Sequence, residues 1–255
     1  MYDGTFDPGH GGRDPGAIGK GKTKEAAINL ITARKVRDLL LPVMTIKLTR
    51  NDDIHLGNNP NEDLKARVDI ANRNNSDIFV SFHCNSNVNA SAHGAEVYTT
   101  RGETKADPLA TAIINRMELA FPELTFRKDF ADGDPDKEAG FYVIKNTKMP
   151  AVLIELAFIS NPTEEALLNN TQFQDRAARA IADGICDYLG IKLPVSPSTK
   201  EKVTLNDVNV IVFGKQLKGF LFNDHAYVQV TELANAVGVT EPVIWKPEIN
   251  TVVIG

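Results

Sequence analysis

Residues 62–85 read EDLKARVDIANRNNSDIFVSFHCN. Residues 62–74 carry the apolar spacing of an amphipathic helix, and Ile78–Phe82 (IFVSF) is the short unbroken apolar run of a buried strand. This pairing of elements recurs on both sides. Upstream, residues 26–41 (AAINLITARKVRDLLL) put Ile28, Ile31, Val36, Leu39 and Leu40 near one helical face. Pro42 stops that helix, and residues 43–49 (VMTIKLT) read as a strand. Downstream, residues 94–99 (GAEVYT), Phe141–Ile144 and Ala151–Leu156 read as strands, and residues 106–120 and 171–189 as helices. Strands alternating with helices of this length predict an α/β domain, with a mostly parallel sheet and helices on both faces.

The alternation stops near residue 190. Residues 190–202 (GIKLPVSPSTKEK) have the prolines, serines and charges of an exposed linker. Residues 203–255 then carry short β-branched and aromatic runs (VTL, VIVF, FLF, AYVQV, PVIW, TVVI) around one helical stretch, Thr231–Val237. The expected organisation is an α/β domain at 1–190, a linker at 191–202, and a small mostly-β module with one helix at 203–255.

Composition narrows the function. A chain of 255 residues that is 42% hydrophobic can bury a sizeable core, and a net charge of −5 gives no electrostatic reason to expect a nucleic-acid partner. Cys84 and Cys186 form no CxxC pair, which argues against a cysteine-built zinc site or a disulfide framework; two reduced, buried thiols are expected. No apolar run approaches the ~20 residues of a membrane helix. The start, Met1-Tyr2-Asp3-Gly4, has no basic or apolar stretch of a signal peptide, so usual export is not expected from this chain.

Four segments hold the chemistry. In Asp7-Pro8-Gly9-His10-Gly11-Gly12 a histidine stands on a backbone able to turn sharply, although a plain glycine-rich turn reads the same way. His83 closes the strand IFVSF, where side chains point into the crevice that binds ligands in α/β proteins; a hydrogen-bonded histidine at a sheet edge is the alternative. Glu155 interrupts the apolar run Ala151–Ile159, and a carboxylate there is ordinarily ion-paired, metal-bound or poised as an acid or base. Glu25 opens the first helix, where the macrodipole alone favours an acid. Two histidines with carboxylates match a catalytic zinc site with one position open, and a free glutamate beside it can move a proton. His55, His93 and His225 read as solvated or structural, with His93 the rival ligand. No H-E-x-x-H, G-x-S-x-G, P-loop or dinucleotide string occurs.

Together the strings DPGHGGRDPGAIG (7–19), Lys24-Glu25, LKARVDIANRNNSDIFVSFHCN (64–85) and FYVIKNTKMPAVLIELAFISNP (141–162) resemble the zinc-dependent N-acetylmuramoyl-L-alanine amidases of bacterial autolysins and phage endolysins. The resemblance covers about residues 5–190. It implies Zn2+ held by His10, Glu25 and His83, a catalytic Glu155, and peptidoglycan as the substrate. The amide bond cut would be that between N-acetylmuramic acid and L-alanine. The chain departs from the family at Tyr2-Asp3-Gly4-Thr5-Phe6, where an apolar run is usual, and at Cys84, where a small residue is common. Residues 203–255 are similar to the small repeat domain first named from copper amine oxidase N-termini, which implies either wall anchoring or a structural appendage. An inactive wall-binding protein and a zinc carboxypeptidase acting elsewhere on the stem peptide remain as alternatives. The implied place of action is the cell wall, reached by phage-type release or unconventional export.

Overall fold

The computed structural model describes residues 2–193 and, beyond them, five strands of the carboxyl-terminal segment. The chain divides into two compact units, Met1–Pro194 and Val195–Gly255.

The first unit is built on a six-stranded sheet. Its strands are β1 (Tyr2–Pro8), β2 (Met44–Leu48), β3 (Ile78–Asn85), β4 (Glu96–Thr99), β5 (Lys137–Glu138) and β6 (Ala151–Phe158), in the order β2-β1-β3-β6-β4-β5. β1, β2, β3 and β6 run parallel, and β5 is parallel to β4. β4 runs antiparallel to β6, so the sheet is mixed. The 86–95 connection before β4 holds no helix, whereas parallel strands need a crossover of a dozen or more residues, usually helical.

Helices cover both faces. α1 (Glu25–Leu40), α3 (Asp107–Ala120) and α6 (Thr171–Leu189) pack on one side, and α2 (Pro60–Asn74) with α4 (Tyr142–Asn146) on the other. The period of two along each strand divides the core accordingly. Ile78, Val80 and Phe82 of β3, with Val152, Ile154 and Leu156 of β6, join the larger cluster under α1, α3 and α6. Phe79, Ala151 and Leu153 join Val68, Ala71, Val143 and Ile144 in the smaller one. Ile31 of α1, expected inward, is exposed.

Local chemistry sets the helix ends. The Asn59 side chain accepts from the Glu62 N–H and Pro60 follows it, a strong start for α2; Asn75 then leaves the helix at a left-handed φ of 49°. Gly190 ends α6 at φ 65°. Phe141–Ile144, expected as a strand, lies instead at the start of helix α4, where the Lys145 N–H donates to Phe141 O at 3.0 Å. Four apolar residues are too few for periodicity to separate the two states, and here Val143 and Ile144 bury together against α2. α5 (Pro162–Leu168), not foreseen, is capped by Asn161, which accepts from the N–H groups of Thr163 and Glu164.

The second unit shows β7 (Asn206–Val212), β8 (Lys215–Phe222) and β9 (His225–Val228) in an antiparallel sheet, and an antiparallel pair of β10 (Val243–Lys246) and β11 (Thr251–Ile254). The helix expected at Thr231–Val237 and the linker past residue 193 lie outside the described residues.

Candidate metal centre

The centre is assembled from the turn after β1, His83 within β3, Glu155 within β6 and the first turn of α1. β1 ends at Pro8, and the Gly9 N–H donates to Phe82 O at 3.0 Å, which lays the glycine against the His83 ring. A Cβ on Gly9 would fall 2.1 Å from His83 Cε1, so no larger residue fits. His10 follows at φ 61°, a conformation uncommon outside glycine.

Two buried guanidiniums hold that turn. Arg50 donates from Nε to Pro8 O at 2.9 Å and from Nη2 to Gly9 O at 2.9 Å. Arg67 donates from Nη1 to Pro8 O at 2.7 Å and from Nη2 to His10 O at 2.7 Å. Arg67 is ion-paired with Asp63 at 2.6 Å and with Asp7, which accepts from Arg67 Nη1 at 2.8 Å, Thr49 Oγ1 at 2.6 Å and Ser81 Oγ at 2.8 Å. Burial opposes ionisation of Asp7, but Arg67 and these hydrogen bonds outweigh it and hold the carboxyl below its ordinary range.

Glu25, 4% exposed, occupies the middle of the site. Its Oε1 lies 3.0 Å from His83 Nδ1 and 3.3 Å from His10 Nε2, and accepts from the Cys84 N–H at 3.1 Å; its Oε2 accepts from the Ala17 N–H at 2.8 Å. One ligand atom from each of His10, Glu25 and His83 lies within 4.8 Å of the other two. Asp14 Oδ2 stands 2.8 Å from His10 Nδ1, which turns the Nε2 of that ring toward Glu25. Burial works against charge on these groups, yet the hydrogen bond from His10 keeps Glu25 far below the carboxylate range. In return, Glu25 raises His10 to about 9.

Glu155 sits opposite His83 in the β3–β6 register and opposite Glu96 in the β6–β4 register. Its Oε2 is buried and has no hydrogen-bond partner among the described residues. Burial first, then the charges of Glu25 and Glu96, push its carboxyl well above the ordinary value. Glu96 itself stays ionised against burial, because it accepts from Tyr98 Oη at 2.7 Å, Arg127 Nε at 2.5 Å and Lys137 Nζ at 3.0 Å.

The other predicted groups fall elsewhere. His93 is exposed, with Nδ1 3.0 Å from Ser91 O, and takes no part in the cluster. His55 is not simply solvated: it lines, with His10, Arg67, His83 and Tyr142, a cavity of about 270 Å³ beside the centre. His225 lies in β9. Cys84 and Cys186 are free and buried, and Cys84 Sγ donates to Asn29 Oδ1 at 3.6 Å. Sequence reasoning missed Asp14, Arg50, Arg67 and Glu96. Only the i, i+4 spacing of Asp63 and Arg67, which bond at 2.6 Å, was a local signal.

Fold and site thus define an α/β protein that gathers two imidazoles and a carboxylate at one edge of its sheet, beside a glutamate whose Oε2 is buried with no hydrogen-bond partner among the described residues. Residues 5–187 match the family model described as N-acetylmuramoyl-L-alanine amidase. The chain belongs to that family. It is 38% identical over 190 residues to the amidase LytC of Bacillus subtilis (strain 168), covering 72% of this chain and 34% of LytC. Against the amidase AmiA of Escherichia coli (strain K12), identity is 31% over 224 residues, covering 72% of this chain and 75% of AmiA. The solved catalytic domain of the amidase CwlV from Bacillus (Paenibacillus) polymyxa var. colistinus superposes with a TM-score of 0.67 at 37% identity, covering 75% of this chain and all of that domain (100%). The chain therefore spans about a third of LytC and three quarters of AmiA.

Proposed function

We propose that this chain is a zinc-dependent hydrolase that cuts the amide bond between N-acetylmuramic acid and L-alanine in peptidoglycan. The observation that carries the reading is the convergence of His10, Glu25 and His83 beside the partnerless oxygen of Glu155. Two imidazole nitrogens and one carboxylate are a donor set suited to zinc with one position left open. Asp14 behind His10 is the kind of carboxylate that orients a ligating histidine and raises its basicity.

In this reading His10, Glu25 and His83 hold the metal. A zinc ion held there supplies Lewis-acid polarisation of the scissile carbonyl, acidification of the attacking water, and compensation for the Glu25 charge that faces Glu155. Glu155 then takes a proton from the water on its carboxylate oxygen and delivers it to the departing amine nitrogen as the C–N bond breaks. Asp14 keeps a proton on His10 Nδ1 and so leaves Nε2 directed inward. Arg50 and Arg67 fix the backbone that carries His10.

The second unit is proposed as a wall-anchoring module, a reading that rests on the resemblance of residues 203–255. The place of action is the cell wall. No helix among the described residues is long and apolar enough to cross a membrane.

The decisive experiment is digestion of purified peptidoglycan, with and without a chelator, followed by fragment mass analysis. New L-alanine amino termini on free stem peptides, lost with chelator and restored by zinc, are expected. Fragments trimmed at the carboxyl end of the stem would replace the amidase reading by a carboxypeptidase, and wall binding without any cleavage would replace it by an inactive binding protein.

A further inference from the structure

A second acidic centre lies away from His10, Glu25 and His83. Asp107, Asp134 and Asp136 each bring one carboxylate oxygen within 4.8 Å of the other two. Asp136 is only 2% exposed. Its Oδ2 accepts from Thr99 Oγ1 at 2.6 Å, while its Oδ1 is buried with no hydrogen-bond partner among the described residues. Asp107 accepts from the Thr104 N–H at 2.6 Å and from Thr104 Oγ1 at 2.5 Å, and Asp134 Oδ1 accepts from the Asp136 N–H at 3.2 Å. No lysine, arginine or histidine forms an ion pair with any of the three among the described residues.

Three carboxylates at this spacing repel one another by several times RT per pair, even at an effective dielectric of about 20. A buried carboxylate oxygen without a donor adds a desolvation cost. Either a proton or a cation must relieve the arrangement, and the shape favours a cation. The aspartates come from the turn Asp132-Gly133-Asp134-Pro135-Asp136, bent at Gly133 (φ +109°), and from the start of α3. Asp107 and Asp134 also line an open cleft of about 590 Å³, together with Glu103 and Asp132, which gives a hydrated ion access. The donors are all hard oxygens, with no imidazole or thiolate to select zinc. We propose that Asp107, Asp134 and Asp136 form a second cation site, which takes a hard divalent ion of the calcium class.

The site has a mechanical consequence. Its turn belongs to the segment between Arg127 and Lys137, which both bond Glu96, and Glu96 faces Glu155 across the sheet. Cation binding would stiffen that segment.

The test uses the full chain, dialysed into calcium-free buffer, with and without zinc. Calorimetric titration with calcium chloride should show one ion per chain. Calcium at a hundred-fold above its Kd should raise the Tm by about 5 °C. Asp136→Asn and Asp134→Asn should each weaken calcium binding at least ten-fold while leaving the zinc content unchanged. Asp134 faces the cleft, so its variant reports even if Asp136→Asn fails to fold. The proposal is overturned if wild type shows neither heat nor Tm shift up to about 10 mM calcium, the result expected of a shared proton. It is equally overturned if the folded variants bind calcium with wild-type affinity.

Discussion

In the proposed centre, Glu155 and Asp14 would divide the work. Glu155 Oε2 is buried with no hydrogen-bond partner among the described residues, which supports the proposed role in moving a proton over one in holding the fold. Glu155→Gln should keep the metal, by elemental analysis of dialysed protein, and lower kcat/KM on muropeptides by about 10²–10⁴-fold. Turnover near wild type in that variant would remove the role assigned to it. Asp14 would act one bond further out, through its 2.8 Å contact with His10 Nδ1. Asp14→Ala should weaken zinc affinity by about 10–100-fold, read by competition with a chromogenic chelator, while His83→Ala should lose the metal on dialysis. Unchanged affinity in Asp14→Ala would mean that the His10 ring is oriented by its backbone alone. Sequence could mark Glu155, because a carboxylate inside an apolar strand is anomalous by itself. It could not mark Asp14, because Asp7 in the same string Asp7–Gly19 is an equally plausible acid.

At the scale of elements, the centre depends on how α2 clamps the end of β1. Arg67 reaches from α2 to Asp7, Pro8 and His10, and it is buried with Asp7. Removing one partner of such a pair strands the other charge, so Arg67→Met should cost about 3–5 kcal/mol in urea unfolding. A loss below about 1 kcal/mol would show that solvent reaches the pair. The same pair sets an acid limit. Asp7 is held below its ordinary 3.8 in the folded state. Its contribution is therefore complete above the unfolded value and is lost as pH falls through the lower folded value. Stability curves of wild type and Asp7→Asn should converge as pH drops below about 3.8 and stay apart at neutral pH. Parallel curves would place the acid transition in other carboxylates. The apolar spacing of α1, α2 and α6 was legible because each helix shows its period locally. α4 was not, since its short apolar run fits a strand as well, and only packing against α2 decides it.

For the whole molecule, the proposed metal would be coupled to the fold, because His10 comes from the turn after β1, His83 from β3 and Glu25 from α1. An ion bound to the folded chain alone stabilises it by about 4 kcal/mol at a thousand-fold excess over Kd. Chelation should therefore lower the Tm of the first unit by several degrees, and zinc should restore it. An unchanged Tm would mean that the ligands stay assembled without metal. The first compact unit ends at Pro194 along the chain, so a chain ending there should keep the proposed turnover of soluble muropeptides. If residues 203–255 anchor the protein, that shortened chain should lose sedimentation with purified walls; undiminished sedimentation would assign binding to the first unit.

The α/β alternation and the anomaly of Glu155 follow from the sequence by itself, because each is written within one element. The histidine-bearing strings likewise identify the family without any coordinates. Only the tertiary structure brings Glu25 to His10 and His83, turns β4 antiparallel, and sets Arg50 and Arg67 under the His10 turn. These depend on strand order and register, which join residues tens of positions apart. A local periodicity reports which face of an element is buried, but not what it is buried against. Glu25 shows the difference: along the chain it is an ordinary acid at a helix start, and in the fold it stands between two histidines.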